Sequence, residues 1–258
     1  VGLSGYGINF CSRKAGRKEG DMLADQFLTP ALLLRRLEHG ENGLMVTFFT
    51  QKEGRISVLV PGGRKSIKRY GGVLEAFHTL EILVKQKGPS TDSLMLLGEA
   101  SLLRARSGIL SHLSALQAGG TALRWIRCLS PFHLPDPIIW NLLEEWLDTL
   151  DKPSSSPFLE LVHLMFRLLV HTGYRLELER CVRCQKPCGP AKKATVDVIK
   201  GGLLCTSCGG GGRLMESSTR MACIQLQLGQ HLELSPGQID ELLNLIYAVF
   251  KAHMGLSL

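Results

Sequence analysis

Two Cys-x-x-Cys pairs stand within "CVRCQKPCGPAKKATVDVIKGGLLCTSC", residues 181–208, with twenty residues between Cys184 and Cys205. Each pair forms a knuckle with two sulfurs on one side, and two facing knuckles present four thiolates in a tetrahedron. Four chemistries compete for this pattern: a redox couple, a disulfide framework, a catalytic zinc and a closed structural zinc. A redox couple requires a single pair at a strand end in a βαβ unit, and neither pair has that setting. Disulfides are disfavoured in a reducing compartment, where tandem cysteine pairs more often hold metal. A catalytic zinc keeps one position open beside an acid/base. The deaminase order, His-x-Glu followed by Pro-Cys-x-x-Cys, is incomplete, because neither pair follows a proline. The reading is a structural Zn2+ held by Cys181, Cys184, Cys205 and Cys208. Cys188 lies outside the four-ligand set, since four ligands saturate the ion. Cys11, Cys128 and Cys223 read as buried or incidental thiols.

The knuckles need a scaffold. About forty residues, 175–215, carry few apolar side chains and cannot stabilise themselves by burial alone. On both sides of them the chain reads as helix from about residue 103. "DPIIWNLLEEWLDTL" opens with Asp136 as N-cap and Pro137 at the first helical position, and "SSSPFLELVHLMFRLLVHTG" repeats the device and ends at Gly173. "SPGQIDELLNLIYAVFKAHMG" adds Ser235 and Gln238 at capping-box spacing. Each carries one apolar stripe and reads as a packing surface, Trp140 and Trp146 included. Residues 28–102 differ: "ALLLRRLEHG", "GLMVTFFT", "RISVLVP", "AFHTLEILVKQ" and "SLMLLGE" are strand-like runs between glycine-rich turns. A small closed barrel would remove the edges of such a sheet. The predicted fold is α+β: an N-terminal five-stranded OB-type barrel (28–102), then a helical domain (103–258) with the zinc insert. Residues 1–27 are expected to form a polar, poorly ordered extension without the apolar block of a signal peptide. No membrane span is expected, and the chain is placed in the cytoplasm.

Charge narrows the partner. The chain carries +7, and its basicity lies in two islands: residues 35–69 and 175–215 are each +5, while the remainder is −3. An anionic partner is therefore plausible, although cations in the second island also offset the negative charge of a four-thiolate zinc. The third and fourth strands are joined by "GGRKSIKRYGG". There Arg64, Lys65, Lys68 and Arg69 stand between glycine pairs, and Tyr70 offers a ring on which a base could stack. Arg35 and Arg36 lie on the first strand, and strand register decides which faces outward. The chain has no phosphate loop, nucleophile elbow or dinucleotide fingerprint, so no enzyme is expected.

The run "GENGLMVTFFTQKEGRISVLVPGGRKS" in the barrel, together with "CVRC…GGLLCTSC" in the helical part, resembles the RecO family of bacterial DNA repair proteins across about residues 28–254. The resemblance implies a recombination mediator that binds single- and double-stranded DNA through its barrel and anneals complementary strands. It also implies binding to RecR, in some members to the acidic C-terminal tail of single-strand binding protein, and help in loading RecA. Arg64, Lys65, Lys68 and Arg69 match the family's basic loop, whereas Tyr70 comes from this sequence alone. Some members lack the cysteines, which makes the metal a scaffold in this branch. A different class, a protein adaptor whose helical domain binds partners with minor DNA affinity, remains the alternative.

Overall fold

The computed structural model describes residues 26–63, 72–87, 94–152, 156–209 and 212–254. Five strands, β1 (Gln26–His39), β2 (Gly43–Thr50), β3 (Gly54–Val60), β4 (Thr79–Lys87) and β5 (Leu94–Arg104), close a barrel in the order β1-β2-β3-β5-β4. Alternation along the strands fills it: Leu44, Val46 and Phe48 of β2 and Ile56, Val58 and Val60 of β3 point inward and are buried. Closure between β3 and β5 is parallel and rests on the rung Leu59–Leu96. The first half of β3 is covered from outside the barrel. Phe132 bridges to Arg55 in parallel fashion, and the His133 N–H donates to the Arg55 carbonyl at 3.0 Å. Such cover removes an exposed edge. The close approach requires Gly54, at φ +67°, because a Cβ there would lie 2.2 Å from the Leu134 carbonyl oxygen.

Beyond a one-turn helix α1 (Ser107–Leu110), the chain folds into α2 (Leu113–Leu129), α3 (Pro137–Leu150), α4 (Pro157–His171), α5 (Ser217–Gln227) and α6 (Pro236–Met254). The start signals work as read for two helices. Asp136 Oδ1 accepts from the N–H groups of Ile138 and Ile139, both at 3.0 Å, and Ser235 and Gln238 exchange capping bonds. Ser156 precedes α4 without a side-chain cap bond. Trp140 and Trp146 are buried in the helical core, which also receives Leu32, Phe49 and Phe77 from the barrel. Between α4 and α5 the insert folds as a three-stranded sheet, β7-β6-β8, of β6 (Ala194–Asp197), β7 (Gly202–Leu204) and β8 (Arg213–Met215). Among the described residues no helix is long and apolar enough to cross a membrane.

Candidate nucleic-acid interface and metal centre

Directly opposed residues of antiparallel strands share a face, so register reveals orientation. In β1, Leu33 opposes Phe48 and points into the barrel, whereas Arg35 opposes Thr47. A bulge at Leu34 separates these rungs and reverses the alternation. Arg35 therefore turns outward in a row with Thr47 and Ser57, whose hydroxyl oxygens lie 3.1 Å apart. Arg36 opposes buried Val46, leans over the barrel end, and donates from Nη1 to the Leu74 carbonyl at 3.3 Å.

The other described cations of the first island have structural partners. Lys52 Nζ donates to the Leu28 carbonyl at 3.2 Å. Arg55 donates to the Arg127 carbonyl and stacks its guanidinium 3.9 Å from the centre of the Phe132 ring. Arg35 is exposed and has no such partner among the described residues. Arg64, Lys65, Lys68, Arg69 and Tyr70, the candidates on the basic loop, lie outside the described residues, as do residues 1–25 and with them Cys11.

The barrel is fixed to the helices by a residue that the sequence did not single out. Arg106, 1% exposed, places Nε 2.8 Å from Asp148 and Nη2 3.2 Å from Glu144 on α3. Its Nη1 donates to the Phe77 carbonyl and to Thr79 Oγ1, both at 2.9 Å. Thr79 in turn donates to Glu144 at 2.6 Å, and Arg104 joins Asp148 from β5. Only the charge of Arg106, next to a strand end, could have hinted at this role.

The four predicted metal ligands come together. Their Sγ atoms all lie within 4.8 Å of one another, Cys184 and Cys205 at 3.6 Å. Zinc–sulfur bonds of about 2.3 Å in a tetrahedron require sulfur separations of about 3.8 Å, so the set fits. The first knuckle closes through the Gln185 N–H to the Cys181 carbonyl at 2.9 Å, the second through the Cys208 N–H to the Cys205 carbonyl at 3.0 Å. Gly202 lets β7 pass close to the segment entering the first knuckle, since a Cβ there would lie 2.3 Å from the Glu177 carbonyl oxygen and 2.8 Å from the Val182 side chain.

Backbone donors, led by the Cys205 N–H 3.4 Å from Cys181 Sγ, pull the Cys181 thiol down to about 6. Cys208 is pushed up to about 12, chiefly by Cys205 and then Cys184. Cys205 is lowered as well, by Cys208 and then Cys184, so the sulfurs share thiolate charge unevenly, and four thiolates together demand a cation. Cys188, half-buried, turns its sulfur to the Gly189 carbonyl at 3.8 Å and is not in the cluster. Of the isolated thiols, Cys223 is buried and Cys128 half-buried.

Residues 22–106 match the family model "Recombination protein O N terminal" and residues 111–258 match "Recombination protein O C terminal". The chain is 32% identical over 186 residues to the DNA repair protein RecO of Anaeromyxobacter sp. (strain Fw109-5), covering 72% of each chain. It is also 32% identical over 196 residues to the RecO protein of Geobacter sulfurreducens, covering 73% of this chain and 75% of that one. With the RecO protein of Myxococcus xanthus it shares 28% identity over 179 residues, 69% of this chain and 71% of that one. Barrel and helical region alike are matched, and the chain belongs to the RecO family of DNA repair and recombination proteins.

Proposed function

We propose that this protein is a recombination mediator that grips single- and double-stranded DNA without reading sequence and anneals complementary strands. With RecR it helps load RecA on gaps coated by single-strand binding protein, work done at the nucleoid in the cytoplasm. What carries the reading is the outward Arg35, without an ion-pair partner among the described residues, on the face shared with Thr47 and Ser57. Its strand ends at Glu38, which lies, through Leu44, level with Val60 at the end of β3. Guanidinium and hydroxyl groups along one barrel face suit phosphate oxygens, which position a strand and carry no sequence information. Strands held through their phosphates leave their bases free to find partners, so annealing needs no catalytic group. Arg64, Lys65, Lys68 and Arg69 extend that face in this proposal, and Tyr70 supplies a stacking surface.

The metal is Zn2+, with Cys181, Cys184, Cys205 and Cys208 as its four ligands, and its role is to hold the insert. One zinc per chain and protection of these thiols from alkylation are expected. A metal-free preparation with all four thiols reactive excludes it.

The test of DNA binding is the joint replacement of Arg35, Arg64, Lys65, Lys68 and Arg69 by alanine, followed by titration with an oligonucleotide at several salt concentrations. Affinity drops, and its dependence on salt flattens by about 0.7 per lost contact on a single strand. Unchanged affinity and slope reject the reading.

A groove supports the adaptor reading as a second activity. Ile138, Leu142, Val170 and Leu228 line it beside the exposed Arg167, which has only a loose surface pair with Glu145 at 3.6 Å. An apolar groove with a cation at its rim suits an acidic tail such as that of single-strand binding protein. Binding of such a peptide, lost on Arg167→Glu with DNA affinity kept, is the expected outcome; equal binding by the variant removes the groove from the proposal.

A further inference from the structure

Two cations are fully buried among the described residues, Arg106 and Arg220, and they are neutralised differently. Arg106 lies between the carboxylates of Glu144 and Asp148. Arg220, on α5 and 1% exposed, reaches no carboxylate among the described residues. Its Nη1 donates to the Leu178 carbonyl at 2.7 Å, and its Nη2 donates to the carbonyls of Gly189 and Pro190 at 2.6 and 3.1 Å. Its Nε is buried without a partner. Carbonyl dipoles satisfy N–H groups but leave the full charge, and an uncompensated buried charge is costly. An anion near it would offset that cost.

Arg220 lines an open pocket of about 320 Å³ with Arg180, Pro187 and Cys188; Glu179 stands on its wall. A second pocket of about 240 Å³ shares Pro187 and Cys188 and carries Lys186, Lys192 and Lys193 over a floor that includes Leu203 and Leu214. The two adjoin at Pro187 and Cys188, a furrow across the metal insert that Cys205 also lines. A single antiparallel rung joins Arg180 to Pro187, which sets Arg180 beside the segment carrying Lys186. Within the furrow Lys193 is occupied, 2.6 Å from Glu216, whereas Arg180, Lys186 and Lys192 have no ion-pair partner among the described residues. The pairs Lys193–Glu216 and Lys200–Asp197 lower the charge of the insert without cancelling it.

We propose that this furrow holds a second stretch of phosphodiester backbone, apart from the strand gripped by the barrel. The inference rests on the DNA-binding reading and deepens it, because annealing requires two strands on one protein. Cations spaced along a furrow with an aliphatic floor, and without an aromatic ring to stack a base, suit a sugar-phosphate chain read without sequence.

The experiment uses the full-length, metal-loaded protein bearing Arg180→Ala, Lys186→Ala and Lys192→Ala, all exposed side chains outside the metal ligands. Anisotropy of a labelled poly-dT oligonucleotide across salt concentrations reads affinity, and fluorescence of two complementary labelled strands reads annealing. The salt slope is expected to fall by about 2, and annealing to fall further than single-strand affinity. Oligonucleotide is also expected to protect Lys186 and Lys192 of the parent protein from acetylation. Unchanged slope, annealing and acetylation overturn the proposal. So does a loss of affinity confined to an acidic peptide, poly-glutamate, which would make the furrow a protein-docking surface. The barrel variant run in parallel separates the two readings. If it weakens binding and the furrow variant does not, this inference alone fails; if it is inert, the barrel reading fails.

Discussion

Arg106 decides how the two halves of the molecule meet. Its guanidinium is desolvated and paired with Glu144 and Asp148, while its Nη1 caps the Phe77 carbonyl and Thr79. Replacing it with methionine strips the Phe77 carbonyl and Thr79 of a donor and takes a cation from Glu144 and Asp148. These carboxylates keep Thr79 and Arg104 as partners and partial exposure, so the loss is expected at about 1–3 kcal/mol. A urea titration checks this; a change under about 1 kcal/mol would put the pair among the weak surface bridges. The residue scale is also where the sequence was least informative. "LLLRRL" contains both Arg35 and Arg36, and their order reads identically with or without a bulge. Only pairing with β2 reveals that Leu34 is the extra residue and that Arg35 points outward. Summed charge misled in the same way. Lys52 and Arg55, counted as part of a basic island, serve the Leu28 and Arg127 carbonyls.

Elements announced themselves where local chemistry was strong. Asp136-Pro137 and Ser235-Pro236 mark the starts of α3 and α6 through caps that need no tertiary partner. α2 and α5 were not individually legible, because His112 and Glu216 at their N-caps make no side-chain cap bond and packing supplies their stability. The insert was legible through its cysteines, and its own core shows why it needs them. Cys181, Ala194, Leu203 and Leu204 are its buried cluster, with Val196 and Met215 turned to the helical core. Four residues bury too little to order the knuckles, so metal binding and local folding are coupled. Chelation is expected to release amide protection at residues 181–208 while α4 and α6 stay protected in hydrogen exchange. Protection of the knuckles that survives metal removal contradicts this.

The strap from α5 to α6 carries a pH dependence. His163 Nε2 accepts the Leu232 N–H at 3.3 Å, and its ring meets His231 edge-on at 4.6 Å. Burial first, and then His231, lower the His163 pKa, with Glu160 opposing. The folded state therefore prefers neutral His163. Stability is complete above the unfolded histidine value of about 6.5 and is lost as pH falls below it toward the lowered folded value. Urea midpoints at pH 7.5 and 5.5 are expected to differ more for the parent than for His163→Gln. Asp136 and Asp197, held below the usual carboxylate range, stabilise the fold at neutral pH and lose that contribution only in acid, below the histidine window.

At the scale of the whole molecule, barrel and helices share one core. Leu32 and Phe49 leave the outer barrel surface to join it, with Phe49 5.9 Å from Trp140. Phe77 enters beside Gly119, where a Cβ would lie 2.6 Å from its ring. Each such side chain contributes roughly 1.5–3 kcal/mol when fully buried, so the three supply about 5–9 kcal/mol. That sum is comparable to the whole stability of an ordinary domain. The cover of β3 by Phe132 and His133 adds to the same interface. A barrel cut free at residue 106 would lose all of this and expose Leu32, Phe49 and Phe77. The intact chain is therefore expected to melt with barrel and helices in a single transition, and the fragment 26–106 to unfold at lower temperature or to aggregate. Calorimetry distinguishes the outcomes. Two well-separated transitions in the intact chain, with a fragment that melts where the first one does, would make the barrel an independent unit and leave Arg106 a surface tether. If the single transition holds, a strand bound on the barrel face shares one cooperative unit with the helices that carry the metal insert.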